Sequence, residues 1–123
     1  MNREEVKELL RKETERWWEH AIVLYGKRRI QGRPPTTSFE LRGRVAGWAY
    51  DKGCRRYQHH IRYNLDIAAA NLEGFLARTV PHEVAHIVDY FMNGYSSHHG
   101  KKWKQIMVDF GLEPTRCHSY EKG

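Results

Sequence analysis

The chain has 123 residues, with 21 basic and 15 acidic side chains, so its formal net charge is +6. This length suits a single domain, 1–123, whose modest core needs no disulfide bonds. The N-terminal residues lack the apolar run of a signal peptide, and no stretch approaches the ~18 uninterrupted apolar residues of a membrane span. We therefore expect a cytoplasmic or nucleoid-associated protein with no membrane partner, in which Cys54 and Cys117 are reduced.

The N-terminal segment predicts one long helix. Apolar side chains recur with helical spacing over 3–24, among Glu, Lys and Arg. Trp17 and Trp18 are adjacent on this helix, so we expect one in the core and the other partly exposed. The basic segment 26–35 follows, and its Gly and Pro residues favour a loop.

Three segments then predict strands, at 36–41, 44–50 and 57–65. The second and third alternate as half-buried strands do, and the Asp51-Lys52-Gly53 sequence between them suits a hairpin turn. Because consecutive strands with short links pair readily with each other, we expect a three-stranded antiparallel meander.

Helices complete the chain. Residues 68–78 are helical by composition, and Pro81 predicts a kink or short break near Thr79-Val80. The next helix should run to about Asn93, and another should lie downstream with Ser97 as its N-cap and Gly111 at its end. The predicted fold class is therefore α+β: an N-terminal helix, a three-stranded antiparallel sheet, and then helices.

The helix that begins near Pro81 contains the pattern His-Glu-x-x-His. Residues four apart on a helix are offset by only ~40°, so His82 and His86 can direct two imidazole nitrogens at one ion. Glu83 lies beside that face, where it can take a proton from a water whose pKa zinc lowers to about 7. Apolar residues, including Val84 and Ile87, occupy the opposite side, which gives the helix an apolar back and a polar, ligand-bearing front. This pattern is typical of a zinc-dependent peptidase.

A catalytic zinc site needs a third protein ligand from elsewhere in the chain. Met92 stands where the long metzincin pattern requires His, which excludes that class. A downstream Glu ligand is disfavoured, because no Glu occurs between Glu83 and Glu113. Either His98 or His99 can lie near the first two ligands, and chain geometry does not choose between them.

Four stretches of the chain together carry a family resemblance: RGRVAG at 42–47, VPHEVAH at 80–86, HGKKWK at 99–104 and RCHSYE at 116–121. With their spacing they resemble the SprT family (SprT-like or Spartan-like domains), a metallopeptidase-like group with a DNA-dependent protease among its members. Many members continue into a cysteine-rich zinc ribbon, whose four-cysteine spacing is absent here.

The resemblance implies a zincin-like domain that holds one Zn²⁺ per chain. It implies that His82, His86 and His99 are the metal ligands, the last because it belongs to a His-Gly pair, and that Glu83 is the general base. His98 then has no assigned role. The expected function is a zinc metalloendopeptidase that hydrolyses peptide bonds of protein substrates, including DNA-associated proteins.

Basic side chains cluster at three places in the sequence. We consider them candidate nucleic-acid contacts, because a basic surplus favours polyanions and aromatic residues near them, such as Trp48, can stack on unpaired bases. The expected partner is single- or double-stranded DNA, bound weakly and with strong salt dependence. The alternative is a solvated basic surface with the aromatic residues in the core. The clustered residues are Lys27, Arg28, Arg29, Arg55, Arg56, Lys101 and Lys102.

A second hypothesis comes from a different class: a zinc-stabilised DNA-binding module without peptidase activity. Its metal would take a fourth protein ligand, with His98 and Asp89 as the nearest candidates. In the peptidase, Asp89 is instead a candidate hydrogen-bond partner for a ligand imidazole. Glu83 favours the enzyme, since a purely structural zinc site needs no carboxylate there.

Overall fold

The structure, a computed structural model, describes residues 1–30, 34–50, 60–93 and 99–114. It confirms the α+β class: a long helix, three short strands and a run of helices follow one another along the chain. In chain order the elements are α1 (Arg3–Tyr25), β1 (Thr36–Ser38), β2 (Gly47–Tyr50), β3 (His60–Tyr63), α2 (Leu65–Ala70), α3 (Leu72–Gly74), a π-helical turn (Phe75–Thr79), α4 (Val80–Asn93) and α5 (Lys101–Asp109).

Helix α1 begins at a capping box. The Asn2 side chain accepts a hydrogen bond from the backbone N–H of Glu5, and the Glu5 carboxylate accepts one from the backbone N–H of Asn2. Both Trp17 and Trp18 are buried, so the expected partial exposure of one of them is wrong. The reason is that α1 is covered on two sides: Trp17 stacks on Phe110 after α5, and Trp18 meets Phe91 of α4 edge-on.

The sheet is mixed, which corrects the predicted antiparallel meander. Strand order is β1-β3-β2, with β2 antiparallel to β3 but β1 parallel to β3. The connection between β1 and β2 therefore crosses from one side of β3 to the other, because β3 lies between them in the sheet. Asn64 secures this connection, because its Nδ2 donates to the carbonyl oxygens of Gly43 and Val45 at 3.0 and 3.1 Å. The predicted hairpin turn at 51–53 lies outside the described residues.

The break predicted near Thr79-Val80 takes the form of the π-helical turn. The Val80 amide donates to the Phe75 carbonyl, five residues back, instead of four. Pro81 then lies in the first turn of α4, where its missing N–H costs no helical hydrogen bond. Helix α4 ends at Asn93, as predicted.

The core lies between the inner face of the sheet and the helices. Ile61 and Tyr63 of β3 point into it, whereas His60 and Arg62 occupy the opposite face of the sheet. Helix α5 starts later than predicted, with Gly100 at its N-cap position and without a side-chain cap; Ser97, the predicted cap, is outside the described residues. Within the described parts of the chain, no helix combines the length and apolar character needed to cross a bilayer.

Candidate metal centre

Helix α4 is buried on every side over its first ten residues. Its apolar face packs into the core as expected, and the side that carries the polar residues is covered as well. His82, Glu83 and His86 are only 6%, 6% and 8% exposed. Burying polar groups is unfavourable unless they have partners, so their presence here indicates a site rather than packing alone.

His99, just before α5, completes a group of three imidazoles with His82 and His86. Its Nε2 atom lies 3.1 Å from Nε2 of His86 and 3.1 Å from Nε2 of His82. Two nitrogens bound at 2.0–2.1 Å to one tetrahedral ion lie about 3.3 Å apart, so this spacing suits an ion between them. One proton can bridge only one pair of these nitrogens, whereas a metal ion binds all three.

The indole of Trp103, on α5, contacts all three histidine rings. Its ring centroid lies 4.8 Å from that of His82, 5.3 Å from that of His86 and 4.7 Å from that of His99. Its Nε1–H also donates to the backbone carbonyl of His82 at 3.3 Å. Sequence reasoning gave Trp103 no role at the site; its place four residues after His99, in the HGKKWK stretch, was a signal that it lies nearby.

Glu83 lies between the histidines and strand β2. Its Oε2 is 3.9 Å from Nε2 of His82, so the carboxylate faces the edge of the three-histidine group without joining it. On its other side it meets Gly47, whose Cα carries no side chain. The carboxylate is therefore beside the three-histidine group, and the sequence offered no sign that Gly47 borders it.

A buried pair of hydroxyl groups connects α1 to β3, the strand that pairs with β2 beside Glu83. Tyr63, the cross-strand partner of Gly47, has its hydroxyl 2.8 Å from Oγ1 of Thr14 on α1. Because Thr14 gives its proton to the Leu10 carbonyl, Tyr63 donates to Thr14. Burial raises the pKa of Tyr63 far above its usual range; the hydrogen bond with Thr14 opposes this shift, and the nearby charge of Glu83 adds to it. Tyr63 is thus a neutral donor that links β3 to α1.

The other predicted site residues have different outcomes. Asp89 is fully buried and accepts a hydrogen bond from Nδ2 of Asn93 at 2.6 Å. Within the described ranges, the group that could hold a metal consists of the three histidines and does not include Asp89. The hydrogen bond between Asp89 and an imidazole stays a prediction. His98, the other candidate fourth ligand, lies outside those ranges.

Of the basic clusters, two are described. Lys27, Arg28 and Arg29 are exposed in the turn after α1, and Lys101 and Lys102 are exposed in the first turn of α5. Arg55 and Arg56 fall outside the described residues, as do the two cysteines.

The chain is similar to known proteins over most of its length. The model of the SprT-like family matches residues 18–118. Protein SprT of Shewanella oneidensis is 38% identical over 88 residues, which cover 71% of this chain and 53% of that protein. Protein SprT of Pseudomonas putida strain GB-1 is 43% identical over 89 residues, covering 71% and 51%, and that of P. putida strain F1 is 37% identical over 116 residues, covering 93% and 66%.

The chain thus spans about half the length of the first two of these relatives. No solved structure matches it with significance. The match to the family model covers most of the chain, including all three clustered histidines and Glu83. The chain therefore belongs to the SprT-like family.

Proposed function

We propose that this chain is a zinc metalloendopeptidase. The observation that carries the proposal is the convergence of three Nε2 atoms, from His82, His86 and His99, beside the buried carboxylate of Glu83. Three histidine ligands leave one position of a tetrahedral ion open, as in catalytic zinc sites, and imidazole ligands suit zinc. The carboxylate stands outside the ligand set, where it is available for proton transfer.

Each residue then has a definite task. His82, His86 and His99 hold the ion, and Trp103 restrains the orientation of their rings. Zinc, when bound, polarises the scissile carbonyl and lowers the pKa of water. Glu83 takes the proton of the attacking water and later delivers it to the leaving amine, and its burial keeps bulk water from competing for that proton.

The substitution Glu83→Gln tests this proposal. The amide keeps the size of the carboxylate but cannot accept the proton, so we expect cleavage of an unfolded protein to fall by about 10²–10⁴-fold. Zinc content should stay at about one ion per chain, as measured by elemental analysis on the same samples. Glu73→Gln, at an exposed carboxylate of α3, is the matched control and should cleave like the wild type. Full activity in Glu83→Gln would remove Glu83 from the mechanism.

We further propose that the protein acts on proteins associated with DNA, in the cytoplasm or at the nucleoid. The support is the net charge of +6 and the exposed basic clusters at 27–29 and 101–102. The same assay with single-stranded DNA added, and anisotropy of labelled single- and double-stranded DNA at low salt, tests this part. Salt-sensitive binding supports it, and no anisotropy change with either DNA contradicts it. Zinc and DNA binding without cleavage under any condition would favour the zinc-stabilised DNA-binding module.

A further inference from the structure

Strand β2 passes so close to Glu83 that a side chain on one of its residues would press against the Glu83 side chain. A Cβ placed on Gly47 would lie 3.0 Å from Cγ of Glu83, 3.0 Å from Oε2 and 3.2 Å from Cδ. Ordinary contacts between such atoms are about 3.5–4.0 Å long. A methyl group at position 47 would therefore displace the Glu83 side chain by a few tenths of an ångström.

The backbone at Gly47 does not itself require glycine. Among the described residues, the glycines with positive φ are Gly26, Gly43 and Gly111, and Gly47 is not one of them. Its position in β2, paired with Tyr63 of β3, is one that alanine can adopt. The obstacle to a side chain is therefore Glu83, and not the conformation of the strand.

Glu83 has little freedom to move aside. It is 6% exposed, and its Oε2 already lies 3.9 Å from Nε2 of His82 on the side of the histidines. The carboxylate is thus held between a strand and the metal-site histidines, and the space at residue 47 helps to set its distance from them. General-base catalysis depends steeply on such distances: a misplacement of about 1 Å can cost 10²-fold in rate.

We propose that Gly47 is a positioning residue for Glu83. By lacking a Cβ, it lets the carboxylate settle against β2, beside the three histidines and outside their ligand set. This proposal rests on the proposed peptidase function for its catalytic half, whereas the contact between Gly47 and Glu83 is a property of the fold and can be measured on its own.

The contact is tested by stability, without any activity assay. Gly47→Ala is introduced into three full-length backgrounds: wild type, Glu83→Gln and Glu83→Ala. Because Gln has the shape of Glu, we expect the melting temperature to fall by about 4 °C in the first two backgrounds. Ala at 83 removes the atoms that the new Cβ would meet, so there the melting temperature should stay constant or rise. An equal fall in all three backgrounds would overturn the proposed contact.

The catalytic half is tested with zinc-loaded protein. In Gly47→Ala we expect kcat to fall about tenfold or more, with KM for an unfolded protein substrate within about twofold of the wild type and zinc still at about one per chain. Gly43→Ala is the control: its φ of +81° makes alanine strained, and nothing lies within 4 Å of its Cβ. It should lose stability yet retain kcat.

The outcomes separate this proposal from the proposed function. Unchanged kcat in Gly47→Ala, alongside an active wild type, would overturn the positioning role. This holds even if the effect of Gly47→Ala on the melting temperature depends on the residue at position 83. A wild type that cleaves nothing would instead refute the peptidase function and, with it, the catalytic half of this proposal. The stability comparison would still decide whether residue 47 restricts the space available to the Glu83 side chain.

Discussion

At the scale of single residues, one aromatic ring contacts all three of the clustered histidines. Trp103 is fully buried, lies nearly parallel to the His86 ring and meets the His82 and His99 rings at steep angles. It thereby limits the rotation of all three imidazoles. Ligand rings that are already oriented lose less freedom when they bind an ion, and groups that orient metal ligands commonly affect affinity by 10–100-fold.

We therefore expect Trp103→Phe to lower zinc affinity by about tenfold, since the smaller ring leaves the histidines looser and cannot donate to the His82 carbonyl. The measurement is a competition titration with a chromogenic zinc chelator. Phe110→Leu is the matched control, because the ring contacts of Phe110 are with Trp17 and His20, outside the three-histidine group. Equal losses of affinity in both variants would show that general loosening of the core, and not ring orientation, is responsible.

At the scale of elements, β1 is joined to β3 by side chains as well as by backbone. His60 of β3 lies with Nδ1 2.7 Å from Oγ1 of Thr36 and with Nε2 2.8 Å from Oγ of Ser38. Burial lowers the pKa of His60; the neighbouring Glu40 opposes this shift and Arg62 supports it. The folded protein therefore favours the neutral imidazole on this face of the sheet.

This shift predicts a pH dependence of stability. Because the pKa of His60 is lower in the folded chain than its ordinary value of about 6.5, the unfolded chain binds the proton first as pH falls. The contribution is complete above about pH 6.5 and is lost as pH falls towards the folded-state pKa. We expect the free energy of unfolding, from denaturant titrations between pH 7.5 and 5, to fall more in the wild type than in His60→Gln. Parallel curves for the two proteins would contradict this assignment.

At the scale of the whole molecule, the three histidines come from two separate segments of the chain. His82 and His86 belong to α4, and His99 precedes α5, so a bound ion would join α4 to the start of α5. An ion that binds only the folded chain stabilises it by mass action, by about 2.7 kcal/mol when its free concentration is 100 times Kd. The metal would thus be part of the stability of the domain as well as of its chemistry.

Removal of zinc should lower the melting temperature by about 10 °C. This value combines the stabilisation of about 2.7 kcal/mol with a shift in melting temperature of roughly 4 °C per kcal/mol for a domain of this length. The measurement is thermal unfolding with and without excess chelator, followed by restoration with added zinc. His99→Ala lacks one ligand, so its melting temperature should respond far less to the chelator. An equal response in that variant would place the stabilising metal elsewhere.

Much of the site could be predicted from the sequence because its central spacing is local. Two histidines four residues apart share one side of a helix in any fold, and the order of periodic segments was enough to predict the α+β class. The third histidine is different. Local geometry left His98 and His99 equivalent, and only the family resemblance distinguished them; the structure brings His99 to the group.

What only the tertiary structure decided is which elements cover which. The parallel pairing of β1 with β3, the burial of both Trp17 and Trp18, and the covering of the polar side of α4 all depend on contacts between distant segments. The same holds for Trp103 against the histidines and Gly47 against Glu83. Hydrophobic periodicity records which side of an element faces inward, but long-range packing determines what lies there. The sequence by itself therefore determined the spacing of His82 and His86, whereas the assembled fold determined what surrounds them.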